Sequence, residues 1–162
     1  MVTELIEKVL TDRELEWEST GPASYVVTLP GTHKLKTAVN LIVGEHALRV
    51  EAFVMRRPDE RHEELWAWLL RRNARTYGVS FSIDAAGDVY LTGRVSLGGL
   101  DEDELDRLLG AVLTYADESF DTMLEIGFGS SIRREWEWRV KRGESLANLQ
   151  AFKHLAPQTD ES

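Results

Sequence analysis

"LKTAVNLIVGEHALRVEAFVM", residues 35–55, is the stretch whose reading decides the fold. Two apolar-rich runs flank Gly44-Glu45, a short polar link suited to a tight hairpin. In the second run Leu48, Val50, Ala52 and Val54 alternate with Arg49, Glu51 and Phe53. A period of two in which every second residue is apolar predicts an antiparallel strand with one face against a core.

Working outward toward the N-terminus, "SYVVTLPG" (24–31) reads as a strand closed by Pro30-Gly31, and "RELEWES" (13–19) as a half-buried one. Before them, Leu5, Ile6, Val9 and Leu10 share one face of a short helix that begins near Thr3. Toward the C-terminus, Arg56-Arg57-Pro58 ends the sheet, and Asp59 is expected to cap a helix running to about Tyr77. "VSFSIDAAGDVYLTGRVSL" (79–97) predicts a second hairpin turning over Asp84 to Gly87. Asp101 with Glu104 resembles a capping box and opens a helix to about Ile126, with Gly127 and Gly129 expected to stop it. Leu105, Leu108, Leu109, Val112, Ala116 and Met123 fall on one side of that helix and most of its acids on the other.

The order is therefore α-β-β-β-β-α-β-β-α, an α+β fold in which helices pack on a single antiparallel sheet. Residues 1–129 form that domain. Residues 130–155 are expected to be one or two short helices packed on it or on a partner, and 156–162 a disordered acidic tail. A strand through Trp136, Trp138 and Val140 is the competing expectation for the extension.

Composition narrows the function. The chain lacks cysteine, which excludes disulfides, thiol catalysis and thiolate metal sites. A formal charge of −9 sets long-range repulsion against nucleic acid and anionic membranes. The N-terminal segment has no basic start followed by an apolar run, so the protein is expected in the cytoplasm. His33, His46, His62 and His154 sit on separate elements with no pair at metal-ligand spacing. "DAAGD" (84–88) lacks the further carboxylates of a calcium loop, so Asp84, Gly87 and Asp88 are read as turn formers. "GFGSS" (127–131) has no lysine at P-loop spacing. No catalytic residue, metal or cofactor is expected.

"ELWAWLLRRNAR" (64–75) carries the candidate contact surface. On its wheel the leucines, Trp66 and Tyr77 make an apolar arc, with Asn73 in the middle as a structural bracket to a neighbouring loop. Trp68 falls on the charged side among Arg61, Arg72 and Arg75, where it is either an anchor for a protein contact or covered within the chain, by stacking on its arginines or by the C-terminal segment. Trp136 and Trp138 are the second candidate contact. The alternatives are a nucleic-acid face made of Arg56, Arg57, Arg71, Arg72 and Arg75, and a small-ligand or enzyme site in a sheet-helix groove.

"LLRRNARTYGVSFSIDAAGDVYLTGRVSL" (69–97), "LDRLLGAVLTYADESFDTMLEIGFG" (105–129) and "SYVVTLPG" resemble the YbjN family in its actinobacterial form. "SSIRREWEWRVKRGESLANLQAF" (130–152) is similar to the C-terminal extension of such members. The Arg-Asn-x-x-x-Tyr-Gly and Ala-Asp-Glu-Ser-Phe patches carry the likeness. The resemblance implies a sensory-transduction regulator with a fold similar to the small type III secretion chaperones. Those chaperones are acidic homodimers that hold a partner's extended segment along apolar grooves. It brings no catalytic residue to these positions. A non-catalytic, protein-binding regulator or chaperone-like module, homodimeric and with a further protein partner, is the resulting expectation.

Overall fold

The computed structural model describes residues 1–156, so the expected tail lies, beyond Ala156, outside the described residues. Helix α1 (Val2–Asp12) leads into β1 (Glu16–Gly21), β2 (Ser24–Pro30), β3 (Lys36–Val43) and β4 (Ala47–Met55). Then come α2 (His62–Asn73), β5 (Ser80–Ile83), β6 (Val89–Ser96), α3 (Glu102–Arg142) and a 3-10 segment (Ala147–Leu155). The strands form one antiparallel sheet in the order β1-β2-β3-β4-β6-β5. Among the described residues no helix is long and apolar enough to cross a membrane.

The hairpin of residues 35–55 sits at the centre. Leu41 faces Val50 and Val39 faces Ala52 across it, and all four are buried. Their face of the sheet carries α1 and α3, whose Ile6, Leu10, Leu105, Val112 and Met123 are fully buried against it. The opposite face, with Arg49 and Arg94 in register across β4 and β6, is wet. Lys8 pairs with Glu102, and Arg13 with Asp106 at 3.0 Å, tying α1 to the start of α3. Asp101 caps α3 by accepting the Glu104 N–H at 2.8 Å.

Three helix boundaries differ from the sequence reading. Asp59 does not cap α2; it pairs with Arg56 at 3.0 Å, and Arg61, in a left-handed conformation (φ 54°), precedes a helix that starts at His62 and ends at Asn73. Nor do Gly127 and Gly129 stop α3, which kinks at Phe128 (φ −137°, ψ 15°) and runs on to Arg142. The boundary expected at 129/130 thus falls inside one helix, and Trp136, Trp138 and Val140 are helical, not a strand.

The kink has an identifiable cause. The Gly127 carbonyl, freed by the kink, accepts the N–H groups of Asp59 (3.0 Å) and Glu60 (3.2 Å). The Glu60 carboxylate in turn accepts the Ser130 N–H and hydroxyl, both at 2.7 Å, so the helix restarts with a side-chain cap. Glycine permits the close approach, because a Cβ at position 127 would lie 2.7 Å from the Pro58 Cβ. Glycine allows a helix to end but does not compel it, and here the 58–60 loop supplies the bonds that let it continue.

Gly127→Ala is expected to lose about 1–3 kcal/mol of stability in urea denaturation, the usual cost of overpacking. The two Ser130 hydrogen bonds hold the Glu60 carboxyl below its ordinary pKa. Its contribution is therefore present above the normal carboxylate range and fades as pH falls through the lowered value. Between about pH 5 and pH 3 the wild type should lose more stability than Glu60→Gln, read from denaturant midpoints along the pH series.

Candidate functional site

Helix α2 presses Leu65 and Leu69 into the core and leaves a cleft on either side. Toward β5, Trp66, Leu69, Leu70, Asn73, Phe81, Ser82 and Ile83 enclose a largely apolar cavity of about 250 Å³. On the other flank, Trp68, Arg71, Arg72 and Arg75 line one of about 220 Å³. The wheel's apolar arc is therefore only partly core. Leu70 is 71% exposed beside the four-residue β5, the edge strand of the sheet. Tyr77 is also exposed. It lies past the end of the helix, where its N–H donates to the Tyr115 hydroxyl and its own hydroxyl to Glu104.

Trp68 is not an outward residue. It is half-buried at the edge of the core, with the Arg72 guanidinium 6.0 Å above its ring and Arg72 held by Glu118 of α3 at 3.2 Å. Arg75 joins Arg72 in lining this cleft, whereas Arg61 pairs with Glu64 one turn into α2. Trp136 and Trp138 stand apart on the distal half of α3. Trp136, expected as a contact residue, is buried, while Trp138 is 49% exposed under the Arg142 guanidinium at 4.4 Å. The 3-10 segment folds back along α3 here, with His154 reaching Glu125 at 2.9 Å and Phe152 buried.

Asn73 bridges to a strand, not a loop. Its amide donates to the Phe81 carbonyl (3.0 Å) and accepts the Phe81 N–H (2.7 Å), so one side chain stands in for a neighbouring strand on the open edge of β5. In the β5–β6 turn, Asp84 accepts the N–H groups of Ala86 and Asp88, Gly87 takes φ 86°, and Asp88 accepts the Arg57 N–H at 2.8 Å. Of the arginines of the alternative nucleic-acid face, Arg56 and Arg72 are neutralised by Asp59 and Glu118.

Sequence reasoning missed the anchor of the β2–β3 loop. One oxygen of Asp117 accepts the backbone N–H groups of Thr32, His33 and Lys34 at 2.8–3.0 Å, and His33 reaches Asp121 at 2.6 Å. Burial works to raise the Asp117 pKa, but the three donors outweigh it and hold the carboxyl below its ordinary value. The available signal was the Ala-Asp-Glu-Ser-Phe patch, whose Asp117 holds this loop and whose Phe120 lies beneath Lys34.

Sequence comparison agrees with the geometry. The family described as "YbjN: Putative bacterial sensory transduction regulator" matches residues 3–125. The chain belongs to the YbjN family. An uncharacterized protein of Mycobacterium tuberculosis H37Rv is 55% identical over 142 residues, covering 88% of this chain and 78% of that one. One of Mycobacterium leprae is 53% identical over 146 residues, covering 90% and 79%. A chain of the heterodimeric ExoU–SpcU complex of the Pseudomonas aeruginosa type III secretion system superposes with a TM-score of 0.52. It is 19% identical, with 76% of this chain and 98% of that chain covered. The Yersinia pestis type III secretion chaperone SycH, solved with a fragment of YscM2, gives 0.55 at 18% identity, covering 72% and 97%. The YbjN chain thus has the type III secretion chaperone fold.

Asn73→Leu should cost about 1–3 kcal/mol, the penalty for leaving the Phe81 N–H and carbonyl unpaired. It should also make the protein self-associate in proportion to concentration, measured by light scattering, because the edge of β5 is then open.

Proposed function

We propose that this YbjN protein is a non-catalytic, chaperone-like regulator that docks a protein partner on the exposed ridge of α2. The observation that carries this is Leu70, 71% exposed between Trp66 and Ile83 and flanked across the helix by Trp68, Arg71 and Arg75. A solvated leucine beside two tryptophans, rimmed by arginine, has the anatomy of an interface: an apolar centre for energy and a charged rim for orientation. Arg71 and Arg75 have no carboxylate within salt-bridge distance among the described residues, and they stand out on a chain of charge −9. The partner would therefore offer an apolar residue bordered by acids. Structures of this fold such as ExsC–ExsE and HopA1–SchA are complexes of two proteins, which supports the same use here.

Leu70→Glu provides the test. An exposed position tolerates the change within about 0.5 kcal/mol of stability, so thermal unfolding should be unaltered. Partners co-purified from the native host with the wild type and identified by mass spectrometry should be lost. Light scattering on the purified chain shows whether the occupant is a second copy, in which case a dimer becomes a monomer in the variant. Partners retained at wild-type levels would overturn the assignment.

A further inference from the structure

A third cavity, of about 400 Å³, opens between the end of β4 and the kinked α3 and lies outside the α2 surface. Phe53, Val54, Met55, Phe120, Leu124 and Phe128 make its walls, and Lys34 and Arg56 stand on its rim. Each cation is poised over a ring: the Lys34 ammonium is 5.1 Å from the Phe120 centroid and the Arg56 guanidinium 4.2 Å from that of Phe128. Both are held from behind. Asp117 fixes the backbone of the loop bearing Lys34, and Asp59 pairs with Arg56.

The charges on the rim are unequal. Arg56 is already neutralised, whereas no carboxylate among the described residues lies within salt-bridge distance of the Lys34 amine. Lys34 is half-buried, and this burial pushes its pKa below the ordinary lysine value. One uncompensated positive charge at the mouth of an aromatic cleft calls for one negative charge on an apolar body. A dianionic phosphate would exceed what the rim neutralises. The walls come from the end of β4, past its last pairing with β3 at Ala52, and from helical α3. The volume and the apolar lining with few polar groups match small-ligand sites. The geometry points to a binding site for a monoanionic apolar carboxylate, its hydrocarbon between Phe120, Phe128 and Met55 and its carboxylate on Lys34.

The experiment uses the full chain with carbon-13-labelled methionine methyl groups, where Met55 reports on the cleft and the exposed Met1 serves as control. Decanoate is the probe, decan-1-ol carries the same tail without the charge, and acetate the charge without the tail. Decanoate should shift Met55 saturably with Met1 unmoved, bind about tenfold tighter than decanol, the weight of one charge-assisted hydrogen bond, and acetate should have no effect. Lys34→Met should reduce decanoate to the decanol level while leaving decanol unchanged, Lys34→Arg should retain the preference, and Leu124→Trp should weaken both by filling the cleft. Failure of decanoate to shift Met55 saturably, or a preference for decanoate over decanol that survives in Lys34→Met, would overturn the proposal.

Discussion

One backbone carbonyl coordinates three parts of this molecule. The oxygen of Gly127, released from the α3 ladder by the kink, holds the N–H groups of Asp59 and Glu60. That contact fixes how the chain leaves β4, where α2 begins, and how α3 continues past the sheet. Buried backbone groups must be paired, so the kink and the loop are stable only together. The Glu60 bridge to Ser130 completes the exchange by capping the resumed helix. The apolar side of α3 is part of the core built on the sheet, and this junction sets how the helix continues past it.

The junction also explains why two different surfaces coexist on so small a domain. On one side, α2 leaves Leu70 exposed beside the edge strand β5. On the other, Phe128 is buried at the kink, where it meets Phe53, Met55 and Phe120 around a common hollow. Both surfaces pair an apolar floor with cations, on a protein whose charge is otherwise strongly negative. Cations at such places stand out against the many acids, several of which lie on the exposed side of α3.

The antiparallel sheet and the succession of its elements along the chain were legible because period-two alternation in residues 47–54 marks a strand with one face on a core. The placing of β6 rather than β5 beside β4 is tertiary. The end of α3 was not legible either, because whether Gly127 stops a helix depends on the N–H groups of Asp59 and Glu60, far upstream, which no local pattern encodes. Asp59 had the right chemistry for a cap, but the path through the left-handed Arg61 displaced the helix start. At the site, the spacing of Trp68, Arg72 and Arg75 at one-turn intervals made their grouping readable. Which side of α2 would lack cover was hidden, since a helical wheel gives angles without saying where the sheet ends. Trp136 misled for a related reason: the chain doubles back along α3 after Gly143, and that reversal is tertiary. Lys34 went unnoticed because its environment is assembled from three distant segments.

The Asn73 amide has a consequence for assembly. A sheet with two free edges can add neighbours on both sides and grow without limit. Here the Asn73 amide occupies the main chain of Phe81 on the β5 edge, and the other edge strand, β1, carries Glu16 and Glu18. Each edge thus carries its own guard against adding a further strand, a bonded amide on one side and carboxylates on the other.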